Sequence, residues 1–582
     1  MSNLSLKNND STNVLKWCVL LFLVSFLYSF SNIFEPQFIN HTEADRALIG
    51  LEMLRRGNFV VPNLLGDIYL TKPPLFYWLV ACAYYVFDCL NAWVPRFPSA
   101  IFCGLLTSAH YLFLVKAGWH NHLALLSTII LTSTPAIFLY STNAEIDFVF
   151  MSICSLSLYL AYFVALPGAS LLTSTLASIV CGLAVLTKGP QPVFLFFCGL
   201  LVFAFLERKT SPDQFSFWRY FVLRRLLEVG IISLVVGIWI SFLISEVGIN
   251  QIYYHFNVEV ISRVVPSETL LHRFRSPFFY IGILIVATLP WSGFLVKLFS
   301  INRYTFAEEK ESNSYNSVFK YSLSIVVPAL IIFSIFPAKA SRYITPLYPW
   351  VSCILTILLL KLEHTTFADH FKKVWGSISV LCLCGAFYIL FELSGVISAN
   401  YLIIGVVSLL TLFGFLAYVS FNNYSLRTYA VCFFVIFILC RLPYRTLYAE
   451  ERNHKKSVAL VVHELDQYVP KSKPIYILEM FERWIPYYLI QRGREVYRLT
   501  PEIATTLKSN ENEKAFVLLN KEDENWRLDQ LRKLNTQVEE SLKMTIEDKE
   551  FLLISIDASK AYQFSPKMIF PTVKSEPYPG VS

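Results

Sequence analysis

The chain has 582 residues, of which 55% are hydrophobic, 16% aromatic and only 16% charged, and its mean hydropathy is +0.51. Soluble domains carry about a quarter charged residues, so this composition excludes an ordinary soluble protein, a disordered chain, a collagen-like repeat and a nucleic-acid-binding protein. The 12 cysteines lie in or beside apolar runs without metal-ligand spacing. We therefore expect them to be small apolar side chains inside a membrane.

Thirteen apolar runs predict membrane-spanning helices, since one span needs about 20 mostly apolar residues. They lie near 17–34, 97–115, 121–140, 145–165, 169–187, 190–206, 226–246, 279–299, 320–337, 344–361, 373–394, 399–420 and 427–444. No small-residue cleavage site follows the first run, so it is interpreted as an uncleaved span. A fourteenth apolar stretch, 75–90, is short and aromatic.

The net charge of +7 carries a topology signal. If 75–90 lies in the membrane interface, the short loops on the N-terminal side hold sixteen Lys and Arg residues, and the opposite short loops hold six. This bias fits the positive-inside rule, and counting 75–90 as a span would destroy it. The sequence therefore predicts a cytoplasmic N-terminus and an outer face formed by the long loop 35–96 and four shorter loops and turns, at 141–147, 187–190, 247–278 and 338–343.

The composition becomes charged and soluble after about residue 445. Short β-rich runs at 474–478, 515–519 and 551–556 alternate with helical runs at 455–468, 481–492 and 523–534, which is typical of a small α/β domain. We therefore expect an all-α polytopic membrane domain at 1–444, with about 13 transmembrane helices, and a small soluble α/β domain at 445–582. That soluble domain has no phosphate loop, HExxH or nucleophile elbow, so no chemistry is expected there.

The first outer loop is predicted to begin with an amphipathic helix on the membrane surface. Its apolar positions share one face, Glu43 and Asp45 lie at its start, and Gly57 ends it. The simplest interpretation of an acid at such a position is that it favours the helix N-terminus. Lys72 follows at the head of the aromatic segment, where it either snorkels toward lipid headgroups or binds an anion.

Two further outer turns place ionisable groups at the ends of apolar helices. Glu145 and Asp147 open one helix, where either acid could simply cap it, and Lys188 lies between two spans. An ionisable group beside a span is costly, so each of these residues is a candidate functional residue.

Four segments resemble the membrane glycosyltransferases that include the lipid A aminoarabinose transferase, which are relatives of the protein O-mannosyltransferases and have the GT-C fold. They are 43–78 (EADRALIGLEMLRRGNFVVPNLLGDIYLTKPPLFYW), 182–190 (GLAVLTKGP), the pair Arg273-Phe274-Arg275 and Pro290-Trp291, and 341–349 (SRYITPLYP). With a tail of suitable size as well, the likeness covers nearly the whole chain. One position departs from the family pattern, because Thr42 stands where the family has Asp before Glu43. Either Glu43 acts alone, Asp45 substitutes, or the enzyme is impaired, and we favour Glu43.

The resemblance implies an inverting transferase that moves a sugar, such as an aminoarabinose or galactosamine, from undecaprenyl phosphate to a lipid A phosphate. A phosphate acceptor is already ionised, so no strong base would be required. The resemblance implies that acidic side chains orient the acceptor or bind the sugar's amine, that cations hold the donor phosphate, and that tyrosines contact substrate. The acidic residues are Glu43, Asp147 and Asp45. The donor-phosphate cations are Lys72, Lys188, Arg273, Arg275 and Arg342, and the substrate-contacting tyrosines are Tyr69, Tyr77 and Tyr343.

No cofactor is predicted with certainty. His41, His255 and His272 fall on the outer face, where one of them could ligate a divalent metal, although no spacing requires it. The predicted partners are the lipid-linked donor, lipid A and membrane lipids, without nucleic acid, and the predicted state is a monomer in the bacterial inner membrane with the C-terminal domain in the periplasm. Two alternatives remain at this point: the same donor with a protein or other glycan acceptor, which needs a true base, and a flippase or transporter of lipid-linked sugars. Transporters usually show paired repeats, and none is visible.

Overall fold

The chain divides into two compact units in a computed structural model. The first unit is formed by Met1–Ile33, Thr71–Leu75 and Pro98–Leu447, and the second by Phe34–Leu70, Phe76–Phe97 and Tyr448–Ser582. The domain boundary at 444/445 stays a prediction. The structure describes residues 11–31, 33–34, 38, 41–166, 168–207, 214–257, 278–303, 309–336, 339–362, 369–374, 376–377, isolated positions between 414 and 466, 467–473, 475–478, 484–499, 514–520, 538–546, 549–557 and 567–568.

Helices dominate the part of the chain that the structure describes. In chain order they are α1 (Ser11–Phe30), α2 (His41–Arg56), α3 (Leu75–Phe87), α4 (Phe97–Lys116), α5 (Asn121–Thr132), α6 (Pro135–Tyr140), α7 (Ile146–Ala165), α8 (Leu171–Lys188), α9 (Gln191–Glu207), α10 (Gln214–Val247), α11 (Ile249–Phe256), α12 (Phe279–Ala287), α13 (Glu309–Ile335), α14 (Tyr348–Leu362) and α15 (Trp484–Gln491). Three 3₁₀ segments, Val94–Arg96, Trp291–Arg303 and Ser341–Leu347, connect some of them.

Seven helical segments among the described residues are long and apolar enough to cross a membrane, which makes the chain a multi-pass membrane protein. They are Thr12–Phe30, Val94–Lys116, Ile146–Ala165, Leu171–Lys188, Val222–Val247, Asn313–Ile335 and Ser341–Leu362. The predicted spans near 373–394, 399–420 and 427–444 lie largely outside the described residues. Helix α3 has 13 residues, which rise only about 20 Å, less than a hydrocarbon core of about 30 Å. The helices in the predicted spans 121–140 and 190–206 are also shorter than 18 residues, so the interfacial interpretation of 75–90 stays a prediction.

The core of the first unit is built around α7, α8 and α14. Aromatic rings interlock there: Phe113 stacks on Tyr159, and Trp350 meets Phe113, Tyr159 and Tyr321 edge-on with centroids 5.2–5.5 Å apart. In contrast, α1 and α10 carry many exposed Leu, Val and Ile side chains. Such exposed apolar faces are what a lipid-facing helix requires.

Helix α2 of the second unit differs from the predicted surface helix. It spans the predicted residues and ends before Gly57, but it is buried on its polar side as well as on its apolar side, with Glu43, Asp45 and Glu52 at most 2% exposed. The physical reason is long-range packing. The first outer loop folds back so that Gly50 lies against Val80 of α3, and α15 also packs against α2.

The second unit also contains a short hairpin and a six-stranded sheet. Strands β1 (Asn63–Leu64) and β2 (Asp67–Ile68) form the hairpin. The sheet comprises β3 (Ile475–Leu478), β4 (Val496–Leu499), β5 (Lys514–Asn520), β6 (Val538–Ile546), β7 (Lys549–Asp557) and β8 (Lys567–Met568), in the order β6-β7-β5-β3-β4-β8. Strand β3 pairs in parallel with β4 and β5, and the other pairs are antiparallel. Three of these strands, β3, β5 and β7, lie where the sequence predicts strands.

Candidate functional site

The turn between α8 and α9 ends one helix and starts the next within three residues. Gly189 follows Lys188 with a φ of +105°, a conformation that side chains with a Cβ rarely adopt, and its N–H bonds to the Val185 carbonyl. Pro190 then precedes α9, where its fixed φ suits a helix start. This sharp stop leaves the Lys188 side chain at the very end of an apolar helix.

Asp147 and Lys188 form an ion pair at this end of the first unit. The Lys188 ammonium donates to the Asp147 carboxylate, and each side chain is 7% exposed. It also donates to the Arg342 carbonyl at 3.0 Å, and it lies 4.9 Å from the Phe150 ring centroid and 5.6 Å from that of Tyr343. We call these residues, Asp147, Lys188, Arg342, Tyr343 and Phe150, the Asp147 cluster. Glu145 is the N-cap residue of α7, but its side chain makes no capping hydrogen bond. The interpretation of Glu145 as a helix-capping side chain is therefore wrong.

The 3₁₀ segment Ser341–Leu347 contributes Arg342 and Tyr343 to this cluster, and the backbone carbonyls of both residues accept hydrogen bonds. Gln191, at the start of α9, donates from its side chain to the Tyr343 carbonyl at 2.6 Å. Arg342 is an exposed residue, and it is its backbone carbonyl that accepts the hydrogen bond from Lys188. Sequence reasoning did not select Phe150 or Gln191, although Gln191 directly follows the LTKGP turn.

Glu43 lies in the second unit and makes a bidentate ion pair with Arg96. Arg96 Nε donates to Glu43 Oε1 at 2.9 Å and its Nη2 to Oε2 at 3.1 Å, with the two side chains 1% and 0% exposed. The guanidinium carbon lies 5.5 Å from the Phe38 ring centroid. Parallel N–H bonds of this kind fix both position and orientation. Sequence reasoning missed Arg96, whose only signal was a cation just before a predicted span.

A second buried cation on α2 binds the tyrosines that were predicted to contact substrate. Arg46 Nη1 donates to the hydroxyl oxygens of Tyr69 at 3.2 Å and Tyr77 at 3.1 Å. Asp45 is 2% exposed, Tyr77 is wholly buried and Tyr69 is half-buried. Burial raises the pKa of Tyr77; Arg46 lowers it, while Tyr69 and Asp45 raise it further.

Glu52, also on α2, fixes the turn of the β1–β2 hairpin. Its carboxylate accepts the Gly66 N–H, with N···O distances of 3.2 and 3.4 Å, and pairs with Arg56 at 3.6 Å. Leu65 and Gly66 have φ values of +52° and +88°, as a tight hairpin turn with two left-handed residues requires. Burial raises the pKa of Glu52 to about 8, against smaller lowering effects from Arg56 and from the N–H groups of Gly66 and Leu65.

The remaining predicted residues divide between described and undescribed segments. Lys72 lies in the first unit, where its ammonium donates to the Thr71 carbonyl at 2.8 Å. Arg273, Arg275 and His272 lie outside the described residues. Within the described part of the chain, no group of three or more His, Cys, Asp or Glu side chains is arranged to hold a metal ion.

Comparison with known families supports the resemblance of the sequence motifs. Residues 71–240, under a third of the chain, match the sequence model of the dolichyl-phosphate-mannose-protein mannosyltransferase family. A protein of Aquifex aeolicus with no assigned function is 28% identical over 465 residues, which are 76% of this chain and 82% of that protein. The undecaprenyl phosphate-α-4-amino-4-deoxy-L-arabinose arabinosyl transferase of Wigglesworthia glossinidia brevipalpis is 26% identical over 357 residues, 60% of this chain and 59% of that enzyme. The chain thus spans about three fifths of the length of that curated transferase.

The fold has a counterpart among solved structures. The crystal structure of ArnT from Cupriavidus metallidurans bound to undecaprenyl phosphate matches with a TM-score of 0.68 and 18% identity, covering 94% of this chain and 99% of that one. The apo structure of the same protein gives a TM-score of 0.66. In fold, sequence motifs and relatives, the chain is similar to the membrane glycosyltransferases of the GT-C class. Within that class, the chain resembles the ArnT transferases.

Proposed function

We propose that this chain transfers a sugar from undecaprenyl phosphate to a phosphate group of lipid A on the periplasmic face of the bacterial inner membrane. Two comparisons support the donor. Curated relatives are named as undecaprenyl-phosphate-dependent arabinosyl transferases, and the solved protein of the same fold was crystallised with undecaprenyl phosphate. We further propose that the sugar is an amino sugar, with aminoarabinose the first candidate because the relatives' names specify it.

The observation that carries the proposal is the Asp147–Lys188 pair. A lysine that is 7% exposed at the end of an apolar helix is costly, and such a cation suits a departing lipid phosphate in a partly dry site, where attraction is stronger than in water. We propose that Lys188 binds the donor phosphate and that Asp147 orients the ammonium in the unloaded site. Lys72, Arg342, Arg273 and Arg275 are proposed as further cations for the donor, and Tyr343 as a substrate contact.

The reaction we propose is one displacement at the anomeric carbon. An oxygen of the acceptor phosphate forms the new bond to that carbon, the bond to the undecaprenyl phosphate oxygen breaks, and the leaving phosphate takes the electron pair. Attack opposite to the leaving group inverts the configuration. Glu43 and Asp45 are proposed to orient the acceptor or the sugar's amine, and Tyr69 and Tyr77 to support substrate binding.

A protein hydroxyl is the second candidate acceptor, because the matching family model describes protein mannosyltransferases. A hydroxyl acceptor needs a base that removes its proton. Both oxygens of Glu43 already accept hydrogen bonds from Arg96, so the carboxylate is engaged as an ion-pair partner and is not presented to the proton of a hydroxyl acceptor. This arrangement suits an acceptor that is ionised before it binds, and we therefore favour lipid A.

We also propose the finer architecture that the sequence predicts. It comprises thirteen spans, a cytoplasmic N-terminus, a monomeric chain and a C-terminal α/β domain in the periplasm. The sixteen-to-six distribution of Lys and Arg supports the orientation, and the six-stranded sheet with α15 supports the domain.

Mass spectrometry of lipid A from cells with and without the gene tests the function. Loss of a pentosamine- or hexosamine-sized increment, restored by the wild-type gene but not by Lys72→Ala or Lys188→Gln, is the expected result. Lys320→Gln is the matched control, since Lys320 forms an exposed ion pair with Glu207. Unchanged lipid A in the deletion strain would refute the proposed acceptor.

A further inference from the structure

The C-terminal helix α15 makes direct contact with the segment that precedes α2. The hydroxyl oxygen of Tyr488 accepts the backbone N–H of Phe38 at 3.0 Å, and the Phe38 ring packs edge-on against Tyr487 with centroids 4.7 Å apart. Tyr487 in turn donates to the Leu90 carbonyl at 2.9 Å and bonds to the Tyr84 hydroxyl at 3.2 Å. Phe38 and Tyr487 are at most 1% exposed, so these contacts fix the ring in a dry environment.

Phe38 also lies beside the ion pair of the proposed acceptor site. The Arg96 guanidinium lies 5.5 Å from the Phe38 ring centroid while its N–H groups bind both oxygens of Glu43. An aromatic ring at this distance attracts the cation and keeps water away from it. A guanidinium makes two parallel hydrogen bonds to one carboxylate only in the correct orientation. Displacing the Phe38 ring would therefore allow Arg96 to turn and Glu43 to leave its position.

From these contacts we infer that α15 is a positioning element of the transferase: Tyr487 and Tyr488 hold Phe38, Phe38 holds Arg96, and Arg96 holds Glu43. Every residue of this chain of contacts belongs to the second unit. The C-terminal region, which contains no catalytic motif, thereby determines where a proposed catalytic carboxylate lies. This inference rests on the proposed function only in that Glu43 is taken to orient a substrate.

Two variants separate positioning from simple structural support. Tyr488→Phe removes only the hydroxyl that accepts the Phe38 N–H, and Phe38→Leu removes the ring but keeps an apolar side chain. Tyr468→Phe is the matched control, because Tyr468 is a 54% exposed tyrosine near the same end of the chain. We expect both test variants to lower kcat about tenfold with KM changed less than twofold, and the control to match the wild type.

A double-mutant cycle tests whether the effect passes through Glu43. In a Glu43→Gln background, Tyr488→Phe is expected to lower the residual kcat by less than twofold, because the geometry that it controls has already been lost. A full tenfold further loss in that background would overturn the inference, as would wild-type kcat in both folded single variants.

A second measurement does not depend on activity. Coupling with a water-soluble carbodiimide and an amine, followed by peptide mass spectrometry, reports the accessibility of the Glu43 carboxylate in the full-length protein. We expect at least fivefold faster labelling of Glu43 in Phe38→Leu and Tyr488→Phe than in the wild type and Tyr468→Phe. Equal labelling in all four proteins would overturn the inference. A wild-type protein without transfer activity would refute the proposed function, while the labelling would still decide the positioning role.

Discussion

Removing the charge of Lys188 should harm both stability and activity, and the two effects should separate in a double variant. In Lys188→Gln, Asp147 loses its ammonium partner at a site where both side chains are 7% exposed. Breaking a buried ion pair from one side costs about 3–5 kcal/mol, since the remaining charge is left uncompensated. The free energy of unfolding in detergent should fall by about that amount.

The double variant Asp147→Asn/Lys188→Gln restores a neutral pair of nearly the same shape. Its free energy of unfolding should recover to within about 1 kcal/mol of the wild type, because no uncompensated charge remains. Activity should not recover, because a cation that binds the leaving phosphate contributes about 1.5–3 kcal/mol through a charged hydrogen bond. That loss corresponds to a fall in kcat/KM of roughly 10- to 160-fold.

The assay combines chemical unfolding in detergent with initial rates of transfer from a lipid-linked sugar. Lys320→Gln is the control for charge removal, since its 2.8 Å pair with Glu207 is 46% and 34% exposed, and such surface pairs contribute about 0–1 kcal/mol. Recovery of both stability and kcat/KM in the double variant would refute the reasoning, because Lys188 would then serve only to neutralise Asp147.

Three further predictions concern the second unit. The folded Glu52 carboxyl keeps its proton up to about pH 8, whereas the unfolded chain loses it near pH 4.5. The free energy of unfolding should therefore fall across that window by up to about 1.4 kcal/mol per pH unit. Glu52→Gln should flatten this fall, and an unchanged pH profile in that variant would contradict the assignment. Gly50→Ala would place a Cβ 2.5 Å from Val80 Cγ1. This clash should lower the free energy of unfolding by about 1–3 kcal/mol in chemical unfolding. The loss should largely disappear in Gly50→Ala/Val80→Ala, and failure of this rescue would locate the clash elsewhere. Arg96→Lys keeps the charge but not the two parallel hydrogen bonds to Glu43. We therefore expect the free energy of unfolding to fall by about 1–3 kcal/mol and the transfer rate to fall at least tenfold. A wild-type rate would show that the bidentate Arg96–Glu43 pair is not needed for transfer.

Much of the first unit's site follows from the sequence. Apolar runs locate the helix ends, and the charge bias sorts Asp147, Lys188 and Arg342 to one face. Residues at the ends of adjacent spans on one face lie at similar depth, so their proximity is predictable. The exact partner is not, because rotation of each helix about its axis depends on packing. The sequence therefore indicates that Asp147 and Lys188 lie near each other, but it does not indicate that the Arg342 carbonyl is a third partner.

The second unit's site was less predictable because its contacts join distant segments. The spacing of α2 correctly predicts a helix with one apolar face, but its polar face is buried too, since residues from distant segments cover it. Arg96 covers Glu43, and Gly66 of the hairpin turn covers Glu52. Arg96 pairs with Glu43 across 53 positions, and Tyr488 reaches Phe38 across 450. No local pattern in a single sequence indicates such pairs.

The most direct test of the central claim uses purified full-length protein in liposomes. Undecaprenyl phosphate carrying a labelled amino sugar is supplied with lipid A, and both lipids are analysed by mass spectrometry. The proposed function predicts lipid A with one added sugar on a phosphate and an equal amount of free undecaprenyl phosphate. Both products should form at least about tenfold more slowly in Lys188→Gln, but not in Lys320→Gln. Unmodified lipid A and intact donor, with protein that remains folded, would contradict it.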